Sequence, residues 1–158
     1  MEARGKTVTL LDADEIRPIL CPDLRYSDED RLKNMMRVAF VAREIVRHGG
    51  IVIVATVSPR EVHRQQVRRQ FEPLSFVQVW VNTPLAECER RDVKGMYALA
   101  RKSKIPQFTG VSAPYEEPAV SEVVCKTVGR NTEECVESIL AELDQRATAA
   151  VEQLAAET

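Results

Sequence analysis

The chain has 158 residues, with 44% hydrophobic and 29% charged side chains and a formal net charge of −2. This length predicts a single domain, and the near-balanced charge excludes the broad basic surface of a nucleic-acid-binding protein. No apolar run approaches the ~20 residues of a membrane-spanning helix, and the first residues lack the apolar core of a secretion signal. The four cysteines show no paired spacing typical of a zinc site or a disulfide framework. A reduced, cytoplasmic protein is therefore expected.

Four short apolar segments predict the strands of a parallel sheet. They lie at 7–12, 51–56, 76–81 and 122–125. Three of the four are largely apolar and β-branched rather than alternating with polar residues, which is typical of strands covered on both faces.

Helical patterns separate these segments. The clearest begins after Ser27, a typical N-cap that precedes three acidic residues, and ends before the glycine pair at 49–50. Further helices are predicted at 59–71, from Pro84 with Thr83 as its N-cap, and from Thr132 into the 140s. The alternation of strands and helices predicts an α/β fold, a three-layer parallel sheet with flanking helices.

Polar side chains follow the predicted strands, at the sheet edge where α/β proteins bind ligands. Asp12 and Asp14 follow the first strand, and Ser58 follows the second. Paired carboxylates suit the binding of magnesium or the activation of an attacking hydroxyl. Alternatively, Asp12 caps the next helix, Asp14 is solvated, and Ser58 is a simple N-cap. The spacing alone leaves both interpretations open.

A basic segment follows the third strand and leads into the longest irregular stretch, 102–118. It contains Arg90, Arg91 and Lys94, and the irregular stretch adds Lys102 and Lys104. Basic residues on a mobile segment can close over phosphates and stabilise a transferring phosphoryl group. A solvated helix end, favoured by the helix dipole, explains the same residues equally well.

Two aromatic residues, Tyr26 and Phe108, fall in predicted loops. Two such rings can clamp a purine between them, although a single loop aromatic more often packs against its own loop. No Ser–His–Asp triad is indicated, because the only histidines are His48 and His63 and the first of these ends a helix.

Six segments in order resemble motifs of the adenylylsulfate kinase family. LLDADEIR (10–17) resembles the family's LLDGDNVR, and YSDEDRLKN (26–34) resembles its FSxEDRxxN. VSP (57–59) resembles its ISP turn. No single one of these motifs is specific, but their order makes coincidence improbable.

The C-terminal half contributes the longest motif. RDVKGMYALAR (91–101), followed by FTG and then PYEEP (114–118), resembles RDVKGLYxKAR…FTG…PYExP. The resemblance extends from Glu2 to Leu143, and RVAFVAREIVRHGGIVI is most similar to kinase domains fused to an ATP sulfurylase. We therefore expect a family domain at 1–143 and a helical extension or tail at 144–158.

The resemblance implies a P-loop nucleotide kinase fold that transfers the γ-phosphoryl group of ATP to the 3′-hydroxyl of adenylylsulfate, with Mg²⁺ as cofactor. It implies that Asp14, beside Asp12, lies near Mg²⁺ and the 3′-hydroxyl, as the catalytic and metal-binding residue. The remaining implied site residues are Tyr26 and Phe108 around the adenine, Arg17, Arg31, Asn34, Val57, Lys94 and Thr109 in substrate binding, Ser58 at a catalytic position that is a phosphoserine in some members, and Arg91 and Arg101 in a lid.

The main departure from the family is the phosphate loop. Members begin with a strand, a G-x-x-x-x-G-K-[ST] loop and a helix, and the printed sequence has no match to that loop. Because the loop holds the phosphates, we expect this chain alone to bind ATP poorly and to be inactive as a kinase. The missing strand would lie between 51–56 and 76–81, so a partner chain or an upstream segment is expected to supply it.

The sequence leaves three functions open, of which the third is a purely structural assembly domain with the same fold. The first is an adenylylsulfate kinase domain. The second is a non-catalytic domain that binds adenylylsulfate or its 3′-phosphorylated product, PAPS, and regulates a partner. Association with an ATP sulfurylase and homodimer formation are the candidate assemblies, and neither a nucleic acid nor a membrane is expected as a partner. A purely structural role does not explain why Asp14, Arg31 and Asn34 persist.

Overall fold

Helices and strands alternate along the chain. The structure, a computed structural model, describes residues 1 and 5–156. Glu2, the first residue of the family resemblance, and 157–158 of the predicted extension lie outside the described residues. The elements in chain order are β1 (Val8–Asp12), α1 (Ala13–Leu20), α2 (Asp28–Arg47), β2 (Ile51–Ala55), α3 (Glu61–Arg68), β3 (Val79–Asn82), α4 (Leu85–Arg91), α5 (Met96–Arg101), β4 (Val123–Lys126) and α6 (Thr132–Ala156).

The strands are parallel and the helices flank them, so the predicted α/β class is confirmed. They form two two-stranded ladders, β1 with β2 and β3 with β4. The chain likewise divides into two compact units, Met1–Phe71 and Glu72–Thr158. Among the described residues, β2 and β3 each have one hydrogen-bonded strand partner. That a partner chain or an upstream segment supplies a further strand stays a prediction.

The first unit is built on the packing of α2 against one face of the β1–β2 ladder. Leu11 is buried on that face with Val38 and Ala42 of α2, and Val52 of β2 packs against them. The opposite face behaves differently, because Leu10 and its register partner Ile53 are 59% and 51% exposed. Alternation along the strands separates a covered apolar face from an uncovered one.

Helix α2 forms as the sequence predicts. The Ser27 hydroxyl accepts a hydrogen bond from the Asp30 amide at 3.1 Å, and the acidic first turn complements the helix dipole. The helix ends at His48, the C-cap, and Gly49 follows with a φ of 81°. A left-handed residue at this place is a common helix stop and favours glycine.

The second unit is held together by Arg146 of α6, which is largely buried. Its guanidinium donates to the carbonyls of Pro73 and Phe76 at 2.7 and 3.0 Å and to Glu142 at 2.6 Å. It also lies 3.4 Å from Glu122, whose other oxygen accepts from the Gln78 amide. These contacts anchor α6 beside the start of both strands. They also explain why β3 begins at Val79 rather than at 76.

Two short helices were not predicted. Helix α1 follows β1 directly and contains Pro18, and α5 lies in the basic segment. The start of α4 also differs, because Pro84 is its N-cap and the Thr83 hydroxyl instead contacts that of Thr127. None of the helices in residues 1 and 5–156 has the length and apolar composition that a bilayer crossing requires.

The two faces of the first ladder should respond differently to truncation. Leu11→Ala is expected to lower the free energy of unfolding by about 2–4 kcal/mol, because it leaves a cavity beneath α2. Ile53→Ala, its matched control in the same ladder, should lower it by at most about 1 kcal/mol, because that side chain is already half exposed. Urea denaturation measures both, and equal losses would contradict the assignment of the covered face.

Candidate functional site

The predicted site residues divide between the two units. In the first unit lie Asp12, Asp14, Arg17, Tyr26, Arg31, Asn34, Val57 and Ser58; in the second lie Arg91, Lys94, Arg101, Phe108 and Thr109.

The paired acids lie where β1 becomes α1. Asp12 is the last residue of the strand and the N-cap of the helix, and its Oδ1 accepts a hydrogen bond from the Asp14 amide at 2.8 Å. The alternative interpretation of Asp12 as a cap is therefore correct. The cap also holds the exposed Asp14 at the strand tip, in the first turn of α1. Because Asp12 pairs with Ala55 in the parallel register, the 57–59 turn after β2 leaves the ladder at the same edge.

Two arginines flank one exposed tyrosine ring in the first unit. The guanidinium carbon of Arg17 lies 4.4 Å from the ring centroid of Tyr26, and that of Arg31 lies 5.6 Å from it. The guanidinium of Arg17 also donates to the carbonyl of Arg25, and that of Arg31 to the carbonyl of Tyr26 at 3.0 Å. We call Arg17, Tyr26 and Arg31 the arginine–tyrosine cluster.

The cluster concentrates positive charge beside an aromatic face. Burial, and next the neighbouring charge of Arg17, lower the pKa of Arg31. Each guanidinium therefore opposes the charge of the other. An anion that carries an aromatic base would relieve this repulsion and stack on the half-exposed Tyr26 ring.

Asn34 lies one turn beyond Arg31 on α2, so the two residues share a face of the helix. Its side chain is buried, with 4% exposure, and its Oδ1 has no hydrogen-bond partner among the described residues. A buried amide oxygen without a partner is unfavourable by about 1–3 kcal/mol. Such atoms commonly mark a place for a water molecule or a ligand. Asn34 is thus equipped to accept a hydrogen bond from a bound molecule.

The turn after β2 is strained at Ser58, whose φ is 44°. The buried Arg64 of α3 donates to the Ser58 carbonyl at 2.6 Å and is itself paired with Glu61. The N-cap of α3 is Arg60, without a side-chain cap bond, so the alternative of Ser58 as an N-cap is wrong. Val57 beside it is 62% exposed. The turn therefore leaves Val57 exposed to solvent, and the hydrogen bond from Arg64 fixes its backbone.

In the second unit, Asp92 shapes the RDVKG segment. Its carboxylate accepts the amides of Tyr97 and Ala98, both at 2.9 Å, and so caps the start of α5. Its carbonyl accepts the Gly95 amide at 2.8 Å, which closes a tight turn with Lys94 exposed on it. Sequence reasoning gave Asp92 no role of its own, because the cap reaches five and six residues ahead.

The two predicted lid arginines are paired with acids of α4. Arg91 donates to Glu87 at 2.6 Å and to the carbonyl of Thr127 at 3.1 Å, and Arg101 pairs with Glu89. Hydrogen bonds from Arg90 and from Arg91 lower the pKa of Glu87 to about 2. The lid role stays a prediction.

Phe108 begins a compact turn. Its amide donates to the Ser112 hydroxyl at 2.9 Å, and Thr109 forms an isolated bridge with Ala113. The Phe108 ring packs edge to face against that of Tyr97, with the centroids 5.0 Å apart. Burial, and next the neighbouring Cys88, raise the pKa of Tyr97 to about 12. The partner of the Phe108 ring within this unit is therefore Tyr97.

Within the described part of the chain, no group of three or more His, Cys, Asp or Glu side chains could hold a metal ion. Magnesium does not need such a cage, since it usually binds one or two carboxylates together with substrate phosphates and water. The exposed carboxylate of Asp14 fits that requirement.

The acids lie at the carboxyl end of a parallel strand, which is where α/β folds bind their ligands. The sequence profile of the adenylylsulphate kinase family matches residues 1–126. The chain therefore belongs to that family, as its motifs predict.

The similarity to individual proteins of this family supports the assignment. An adenylyl-sulfate kinase of Synechococcus sp. is 44% identical over 146 residues, which cover 92% of this chain and 82% of that protein. One of Bacillus licheniformis is 47% identical over 84% of this chain and 68% of its own length. The structure of the Mycobacterium tuberculosis APS kinase CysC in complex with AMPPNP and APS matches with a TM-score of 0.84 and 34% identity. That match covers 90% of this chain and 83% of that one.

Removal of the Asp92 cap should loosen α5. Asp92→Ala is expected to lower the free energy of unfolding by about 1–2 kcal/mol, the usual effect of losing a helix cap. Asp92→Asn, the matched control, keeps a hydrogen-bond acceptor and should lower the free energy of unfolding less. Hydrogen exchange should become faster at the amides of Tyr97 and Ala98, and unchanged protection there would show that the carboxylate does not hold the turn.

Tyr97 should make the free energy of unfolding depend on pH in the alkaline range. Its folded-state pKa of about 12 lies above the ordinary value of ~10, so folding favours the neutral phenol. The stability that it contributes is complete below the ordinary pKa and is lost as the pH rises through the folded-state pKa. Urea unfolding should be measured below the ordinary pKa and above the folded-state pKa of Tyr97. The free energy of unfolding should fall more steeply with pH for the wild type than for Tyr97→Phe, and equal falls would contradict the raised pKa.

Proposed function

We propose that the chain binds adenylylsulfate at the arginine–tyrosine cluster and takes part in transferring the γ-phosphoryl group of ATP to its 3′-hydroxyl. The observation that supports this best is the cluster itself, in which two guanidiniums flank an exposed ring one turn from a buried, unpartnered amide oxygen. Adenylylsulfate has the matching parts, namely an anionic phosphosulfate, an aromatic base and hydrogen-bond donors.

The arginines would bind the anionic part of the ligand. Charge-assisted hydrogen bonds from guanidiniums to phosphate or sulfate oxygens are short and directional. Bound negative charge also removes the repulsion between Arg17 and Arg31. The base would stack on Tyr26, while Asn34 accepts a hydrogen bond from the ligand.

Asp14 would act on the reacting hydroxyl. Its carboxylate at the tip of β1 can orient the 3′-hydroxyl and accept its proton, and the Asp12 cap fixes its position. Magnesium, held by Asp14 and phosphate oxygens, would supply neutralisation of the phosphate charge. In the second unit, roles in phosphate and base binding for Lys94, Phe108 and Thr109, and a lid containing Arg91 and Arg101, are proposed from the family motifs.

The place of action and the assembly are also proposals. All four cysteines are free thiols, which suits the reducing conditions of the cytoplasm. Association with an ATP sulfurylase and formation of a homodimer are proposed from the resemblance alone.

Isothermal calorimetry with adenylylsulfate tests the binding site. Arg31→Gln should weaken binding at least about tenfold, because it removes a charge-assisted contact. Arg47→Gln is the matched control, since it removes an exposed arginine at the far end of the same helix, and it should bind like the wild type. Absence of adenylylsulfate binding by the wild type, or equal affinity of the two variants, would reject the site.

Binding and turnover are separable. The printed sequence has no match to G-x-x-x-x-G-K-[ST], so calorimetry with MgATP is a separate titration. Incubation with adenylylsulfate and MgATP, followed by chromatography of the nucleotides, measures phosphoryl transfer. Formation of the 3′-phosphorylated product, lost in Asp14→Asn, supports the kinase reaction. Binding without product supports a binding role alone.

A further inference from the structure

Arg37 lies outside the arginine–tyrosine cluster but contacts the chain segment that joins two of its members. The cluster draws Arg17 from α1, Tyr26 from the 21–27 loop and Arg31 from α2. The relative placement of these three side chains therefore depends on how the loop is held against α2.

The guanidinium of Arg37 bridges these segments from α2. Its Nη1 donates to the Leu20 carbonyl, at the end of α1, at 3.1 Å. Its Nη1 and Nη2 also donate to the two carboxylate oxygens of Asp23 in the loop, at 2.6 and 2.8 Å. A two-pronged pair of this kind fixes orientation as well as distance. The hydrogen bond from Arg37 also lowers the pKa of Asp23.

The other end of the loop is fixed separately. The Arg25 amide donates to the Asp30 carboxylate at 3.0 Å, and the Ser27 hydroxyl caps α2. The loop is thus tied to α2 at both ends, near its first turn through Asp30 and about two turns further on through Arg37. Tyr26 lies beside the first tie, while Arg37 fixes the approach of α1, and with it Arg17.

The exposure of this pair predicts which property it controls. The side chains of Arg37 and Asp23 are 44% and 56% exposed. Ion pairs with this much solvent access typically add little to folding stability. Misplacement of binding groups by about 1 Å can nevertheless reduce function by up to ~100-fold. The pair should therefore affect ligand binding far more than unfolding.

We propose that Arg37, through its bidentate pair with Asp23 and its bond to the Leu20 carbonyl, is a positioning residue that sets the arginine–tyrosine cluster for its ligand. This inference rests on the proposed function, because adenylylsulfate is the ligand used to measure it. In this proposal Arg37 acts through Asp23 and the Leu20 carbonyl rather than by contact with the ligand.

Calorimetry with adenylylsulfate on four variants tests the proposal. Arg37→Lys keeps the charge but loses the two-pronged geometry, and Asp23→Asn loses the charge of the partner. Each should raise Kd about tenfold, and the double variant should be no worse than either single one, because both remove the same contact. Arg47→Lys, the same exchange at another exposed pair of α2, should stay within about twofold of the wild type. The urea midpoints of all four should match that of the wild type.

Hydrogen exchange on the ligand-free protein gives an independent readout. Arg37→Lys should accelerate exchange at 21–27, while exchange in the second unit stays unchanged. If the wild type fails to bind adenylylsulfate, the proposed function is rejected, and exchange alone then decides whether Arg37 orders the loop. Unchanged exchange at 21–27, or unchanged affinity in Arg37→Lys beside a binding wild type, overturns the inference.

Discussion

The parallel pairing of β1 with β2 is the constraint on which the first unit depends. A parallel register places both carboxyl ends at one edge, so Asp12 pairs with Ala55 and the 57–59 turn follows beside it. The same register puts Leu11 and Val52 on the face that α2 covers. Because α2 is fixed by that apolar contact, its first turns hold Arg31 and Asn34 in place. Hydrophobic packing therefore determines where the charged groups lie.

The arginine–tyrosine cluster and the neighbouring Asn34 oppose folding locally. Two like charges close to one ring, and a buried amide oxygen without a partner among the described residues, are each unfavourable in the free protein. They persist because the caps at Asp12 and Ser27 and the core beneath α2 determine the backbone around them. Local features of this kind, which disagree with folding rules, are where binding sites are expected.

The sequence predicted much of this architecture for identifiable reasons. Short apolar segments marked the strands, three of them largely β-branched, and Ser27 with its acidic successors marked the start of α2, because both signals are local. Helix α1 was missed because it is short and contains Pro18, and α5 because its cap, Asp92, bonds five and six residues ahead. The pairing of Arg37 with Asp23 joins residues 14 positions apart and follows no helical or strand period. Family motifs named the candidate site residues, and the place of Asp12 at the strand end allowed the helix cap that the structure shows.

The resting state of Arg91 has a consequence for any anion that recruits it. Its guanidinium is already shared between Glu87 and the carbonyl of Thr127. Because the pKa of Glu87 is about 2, this carboxylate keeps its charge through the mildly acidic range, and a fall in pH does not release its partner. An oxyanion that recruits Arg91 would therefore have to replace the carboxylate or the carbonyl as the acceptor of its guanidinium.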